Sequence, residues 1–215
     1  SPLAADLSLG LGSSSVGLME LTSAYGVLLN QGSRAEPYAI LSVKDNAGTV
    51  LEQAVPQAIP VISKETAYLI TNMMEDVIQK GTGQAAKVLG RPIAGKTGTT
   101  DEFINAWFIG GAPNLVTGIN VVFDDRRSLG ETESGAHAAL PIWINFMQVA
   151  LKPLPVMAFT IPEGVTFVKV DPATGLLEGE EGQGSTVELF TKGSEPTQAT
   201  QRRLDPIDFY KLDQI

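Results

Sequence analysis

The stretch Gly90-Arg91-Pro92-Ile93-Ala94-Gly95-Lys96-Thr97-Gly98-Thr99-Thr100 decides how this chain is read, because two incompatible local folds fit it. Gly90 to Thr97 satisfies the P-loop pattern of Gly, four residues, Gly-Lys-Thr, and Val121-Val122-Phe123-Asp124 offers an acidic strand end for magnesium. A P-loop must follow a buried strand and open a helix whose N-terminus holds phosphate. Gln84 to Leu89 is a poor strand, and Thr97, Gly98, Thr99 and Thr100 are poor choices for a first helical turn. The second reading makes Ile93 to Thr100 a strand, in which side chains alternate, so Lys96 projects to one face and Thr97 and Thr99 to the other. Small residues around them let a ligand approach the backbone. On local physics a nucleotide hydrolase stays open as the alternative.

Around this stretch, Pro92 to Thr99, Ala106 to Ala112 and Val116 to Phe123 are strand-length runs separated by Asp101-Glu102 and Pro113-Asn114, which predicts a three-stranded meander. Upstream, Leu18, Leu21, Tyr25 and Leu28 fall on one face of a helix that ends near Gln31-Gly32. Ala39 to Val43 and Thr49 to Gln53 flank Asp45-Asn46-Ala47-Gly48 as a hairpin. Ser63 caps a second helix with Ala67, Ile70, Met74 and Val77 facing inward, and Gly81 supplies a left-handed stop. Downstream, Pro141 opens a third helix with Ile142, Phe146 and Val149 on its buried side before Pro153 closes it. The fold class is α+β: an antiparallel sheet flanked by helices. Residues 1–155 form the main domain, and 156–215, with a short strand at Val165 to Val170 and a Gly/Glu-rich run at Glu178 to Gly184, form a loosely structured extension.

Composition limits the chemistry. The chain has 215 residues, 43% hydrophobic and 18% charged, enough to bury a core. Its net charge of −9 repels polyphosphate backbones, so nucleic acid is not an expected partner. Without cysteine there is no disulfide, thiol nucleophile or thiolate metal site, and a lone histidine, His137, cannot build a zinc site. No metal or cofactor is expected, and the chemistry must lean on Lys, Ser, Thr or carboxylates. No run reaches the roughly 18 apolar residues of a membrane span, since Asn105, Gly110, Pro113, Asn114 and Gly118 interrupt the richest stretch. The chain starts at Ser1 without a methionine or leader, the expectation for a processed product or an excised piece.

Lys96-Thr97-Gly98 with a following Thr99 is also the third signature of the penicillin-binding proteins and serine β-lactamases. Asp6 to Ser13, the Met19 to Tyr25 helix, Gly81-Thr82-Gly83, Ala94 to Thr100, Ala106-Trp107-Phe108 and Ala139 to Trp143 come in the order seen in class A penicillin-binding proteins. The chain resembles the carboxy-terminal half of their transpeptidase domain. That resemblance implies a peptidoglycan D,D-transpeptidase, which acylates a serine with a stem peptide ending in D-Ala-D-Ala and passes the acyl group to an amine. Penicillins and other β-lactams acylate the same serine. It implies that Lys96 supplies positive charge beside the nucleophile and the substrate carboxylate, that Thr97 and Thr99 hydrogen-bond that carboxylate, and that Gly98 leaves room for substrate backbone. The Thr99 amide becomes one oxyanion donor, so Lys96 and Thr99 are the catalytic candidates. The family nucleophile lies in Ser-x-x-Lys, and no serine here has a lysine three residues on; Ser-x-Asn is absent too. The domain is expected to be incomplete at its amino-terminal side, inactive alone, and complemented by the missing amino-terminal part of the same protein. The resemblance places the parent protein outside the cytoplasmic membrane, held by an anchor this chain lacks. A non-catalytic scaffold with the same fold is the second alternative.

Other candidates read as structural. His137 is a surface or capping residue, Asp124-Asp125 beside Arg126-Arg127 a self-neutralising turn, Trp107, Phe108 and Trp143 core residues, and Glu180-Glu181 a solvated acidic loop.

Overall fold

The computed structural model describes residues 1, 3, 5–12, 14–179 and 184–200. The chain divides into two compact units, Ser1–Ile161 and Pro162–Ile215. The division falls after the boundary expected at 155, because Phe159 packs among Leu29, Met74 and Ala94 of the first unit.

In the first unit, helix α1 (Leu18–Leu29) starts after Gly17, whose amide donates to Glu20 Oε2 at 2.9 Å. Gly32, at φ +81°, turns the chain out of the helix, and a Cβ there would lie 2.3 Å from Ile62 O. The helix face is shifted from the expected one: Leu18 is exposed, whereas Leu29 is buried. Strand β1 (Ser33–Ala35) pairs with β4 (Ala58–Pro60), and between them β2 (Ser42–Lys44) and β3 (Val50–Gln53) form the expected hairpin. Its turn is held by Asp45, whose carboxylate accepts the amides of Ala47 and Thr49 and is lowered in pKa chiefly by the Thr49 bond.

Helix α2 (Lys64–Gln79) is capped by Ser63, whose Oγ accepts the Thr66 amide at 3.1 Å. Its buried stripe is Ala67, Thr71, Met74 and Ile78, so two expected inward residues are corrected: Ile70 is exposed and Val77 half-buried. Thr71 sets this rotation, because its hydroxyl donates to Leu28 O at 3.1 Å where α2 meets α1. Gly81 is also corrected. Its φ is not positive; a Cβ would lie 2.9 Å from Val77 Cα, so the residue is small because the chain folds back on the helix.

After a 3-10 turn at Gln84–Leu89 and Gly90 at φ +63°, the chain enters strand β5 (Ala94–Thr99). This overturns the P-loop reading: Lys96 and Thr97 lie mid-strand, with no helix N-terminus to hold phosphate. Strands β6 (Asn105–Ala112) and β7 (Leu115–Val122) complete an antiparallel sheet of order β5-β6-β7, with Thr97 opposite Phe108 and Phe108 opposite Ile119. A π-helical turn, Gly135–Ala139, leads into α3 (Leu140–Ala150). The expected buried face of α3 is the wrong one. Ile142, Phe146 and Val149 are exposed, and Leu140, Trp143, Ile144 and Met147 are buried. Trp143 decides this: its ring meets Phe108 edge-on at 4.8 Å between centroids, and its Nε1 donates to Thr117 O at 3.0 Å. Both the apolar ring and the polar N–H of the indole are thereby satisfied, which no rotation toward solvent would allow.

The second unit holds a hairpin of β8 (Val165–Val170) and β9 (Thr186–Thr191), with Val165 and Val170 buried. Glu180 and Glu181 lie outside the described residues. No helix among the described residues is long and apolar enough to cross a membrane.

Candidate functional site

β5 is an edge strand: β6 pairs with one side of it, and among the described residues no strand pairs with the other. The phase of the pairing is set by the Thr100 amide, which donates to Asn105 O at 3.1 Å. Antiparallel pairs alternate between bonded and non-bonded, so Lys96 and Gly98 spend their main-chain groups on β6 while Thr97 and Thr99 direct theirs to the open edge. The side chains follow the alternation expected from sequence. Lys96 is exposed, forms no ion pair among the described residues, and donates from Nζ to Thr97 O at 2.9 Å. Thr97, half-buried, lies 2.6 Å from Thr82, oxygen to oxygen. The exposed Thr99 accepts the Gly135 amide on Oγ1 at 3.0 Å.

Glycines allow this crowding. A Cβ at Gly135 would stand 2.4 Å from Trp107 O and 2.5 Å from Gly98 O, so only glycine lets the 134–135 segment lie on the β5–β6 pair. At Gly98 a Cβ would meet Trp107 Cβ at 3.2 Å. The result is an ammonium and two hydroxyls along an unpaired strand edge, a set of donors that suits a carboxylate on an extended peptide.

Lys96, Thr97, Gly98 and Thr99 are successive positions of β5, and two residues from elsewhere in the chain reach the hydroxyls of this strand. Thr82 and Gly135 both touch the site hydroxyls, yet neither stood out as a site residue from sequence. The signal available for Thr82 was its position between two glycines.

His137 is exposed, with Nδ1 2.8 Å from Thr132 O, to which it donates. Arg127 stacks 4.0 Å from the Phe123 ring centroid and lies 3.6 Å from Asp125. Phe108 and Trp143 are buried in the core and Trp107 half-buried. Among the described residues no three His, Cys, Asp or Glu side chains are grouped to hold a metal ion.

Known proteins with the same arrangement of elements carry a shared description. The family model for the penicillin binding protein transpeptidase domain matches residues 3–148. The chain belongs to that family. Penicillin-binding protein 1A of Aquifex aeolicus is 40% identical over 189 residues, which cover 88% of this chain and 26% of that protein. The crystal structure of penicillin-binding protein 1A from Haemophilus influenzae superposes with a TM-score of 0.86 at 33% identity, covering 92% of this chain and 35% of that one. PonA1 of Mycobacterium tuberculosis, solved in complex with penicillin V, gives a TM-score of 0.64 at 27% identity over 72% of this chain and 43% of that one. The chain thus spans about a quarter to a third of the penicillin-binding protein 1A relatives. The antiparallel sheet with flanking helices is the fold of this transpeptidase family.

Proposed function

We propose that this chain is the substrate-binding half of a peptidoglycan D,D-transpeptidase. The observation that carries the reading is the open β5 edge, flanked by Lys96, Thr97 and Thr99 without an acidic partner among the described residues. A stem peptide lies along this edge as an added strand, with its terminal carboxylate taking hydrogen bonds from the Thr97 and Thr99 hydroxyls and charge from Lys96. A serine outside this chain attacks the carbonyl of the penultimate D-Ala. Its proton goes to a neighbouring base, the terminal D-Ala leaves as the amine, and the resulting ester is passed to an acceptor amine. The Thr99 amide, aimed at the open edge, is one of two donors to the oxyanion; one such donor is worth about 10²–10³ in rate. β-Lactams acylate the same serine, and the relative PonA1 has been solved in complex with penicillin V.

The partner that supplies the serine is the amino-terminal part of the same domain. We assign it to the opposite edge, beside β7, where a recess of about 740 Å³ opens between that strand and α1, lined by Leu18, Thr22, Gly26, Leu29, Val116 and Gly118 among others. The parent protein works outside the cytoplasmic membrane.

Labelled penicillin tests the reading. The chain by itself is expected to form no covalent adduct, and the polypeptide that carries both halves of the domain to form a stoichiometric one. An adduct on the isolated chain overturns the assignment of the nucleophile elsewhere, and no adduct on the complete domain makes this a non-catalytic scaffold.

A further inference from the structure

We propose that Thr82 is a positioning residue that makes the Thr97 hydroxyl a hydrogen-bond donor toward the substrate carboxylate. The inference rests on the transpeptidase reading and adds to it a residue outside the Lys96-Thr97-Gly98-Thr99 strand. A threonine hydroxyl has one hydrogen to give and two lone pairs to accept with. At Thr99 the polarity is forced: the Gly135 amide can only donate, so Thr99 Oγ1 accepts at 3.0 Å and its own hydrogen is left for the open edge. At Thr97 the neighbour is another hydroxyl, Thr82 Oγ1 at 2.6 Å, and either oxygen can be the donor. With no anion at the edge the pair is free to run in either sense.

A carboxylate removes that freedom. It accepts only, so Thr97 must turn its hydrogen to the carboxylate, and the bond between the threonines survives only if Thr82 donates to Thr97. The chain Thr82 O–H to Thr97 O–H to carboxylate is then charge-assisted, and each bond polarises the next. Thr82 therefore strengthens the site when an anion is bound and contributes little when the ligand is neutral.

Thr82 is held for this task by the end of α2. The Gly81 amide donates to Asp76 O and Val77 O, each at 3.1 Å, and the Gly83 amide to Val77 O at 3.0 Å, so both residues flanking Thr82 are tied to the last turn. A Cβ at Gly81 would displace that turn, lying 2.9 Å from Val77 Cα, and one at Gly83 would push on the buried Ile78 side chain, 2.7 Å from its Cδ1. Thr82 itself is exposed, so its hydroxyl can be removed without opening the core.

The test uses the polypeptide carrying both halves of the domain and two acylating agents, a β-lactam with its free carboxylate and the methyl ester of the same compound. Thr82→Val keeps the shape and removes the hydroxyl; it is expected to lower the second-order acylation rate about ten-fold for the carboxylate and less than about two-fold for the ester, the scale of one hydrogen bond to a charged group. Thr82→Ser is expected to restore the wild-type ratio. Equal losses with both compounds, no loss with either, or failure of Thr82→Ser to restore the ratio overturns the inference. Absence of reaction in the wild-type domain would instead overturn the transpeptidase reading on which it stands.

Discussion

The two outer strands of the one sheet, β5 and β7, are built to opposite specifications. β5 presents Lys96, Thr97 and Thr99 beside an open edge, with Gly98 in the strand and Gly135 lying against it. β7 is Leu115, Val116, Thr117, Gly118, Ile119, Asn120, Val121 and Val122, half-buried over most of its length and bordered by the apolar recess against α1. A polar edge left free suits a small charged ligand, because hydrogen bonds and one cation can be made and released at little cost in packing. An apolar edge beside a recess suits polypeptide, because only area removed from water stabilises it. On the proposed reading, one side of the sheet carries the chemistry and the other the assembly.

Trp143→Ala would undermine both sides at once. The indole carries the edge contact to Phe108 on β6 and the hydrogen bond to Thr117 on β7, so about 3–5 kcal/mol of stability is expected to be lost, read as a shifted urea midpoint at constant slope. A loss below about 1 kcal/mol would mean that the two edges do not share this support.

Lys96→Met separates them. In the complete domain penicillin acylation should fall about a hundred-fold, with stability within about 0.5 kcal/mol of wild type, since Lys96 is exposed and forms no ion pair among the described residues. Gly118→Ala is the converse probe. Its Cβ would stand 2.1 Å from Thr22 Oγ1, which is bonded to Leu18 O at 2.7 Å, so overpacking should cost about 1–3 kcal/mol by thermal unfolding. Adding Thr22→Ala should recover most of that loss; if it does not, α1 and β7 are not in the contact described.

The smallest effect concerns α2, which packs behind β5. Burial raises the Glu75 carboxyl above its ordinary 4.5. A folded-state pKa above the unfolded value means that the protonated form is favoured on folding. This contribution is fully present below about pH 4.5 and is lost as pH rises through the folded-state value. Glu75→Gln should flatten that part of the stability–pH curve, measured by denaturation between about pH 4 and pH 7.

Much of the site was legible locally. Lys-Thr-Gly-Thr is a poor structural strand, and alternation alone put Lys96 on one face and the threonines on the other. The turn at Asp45 to Gly48 was legible because positive φ and an Asx-type bond need particular residues. Helix faces were less so. On α3 two apolar stripes compete, Ile142-Phe146-Val149 and Leu140-Trp143-Met147, and periodicity cannot rank them. On α2 the buried stripe runs through a threonine because a carbonyl of another helix waits there.

The order of amino acids alone established residue chemistry: no thiol, a single imidazole, and one Lys-Thr-Gly-Thr run whose composition asks for a ligand. Whether that run was a phosphate loop or a strand edge depended on its neighbours in space, and pairing with β6 decided it. Thr82 and Gly135 became part of the site only through tertiary structure, since they stand 15 and 36 residues from the hydroxyls they touch. Hydrogen bonds and close backbone approach act over a few ångströms, a distance that sequence separation does not measure.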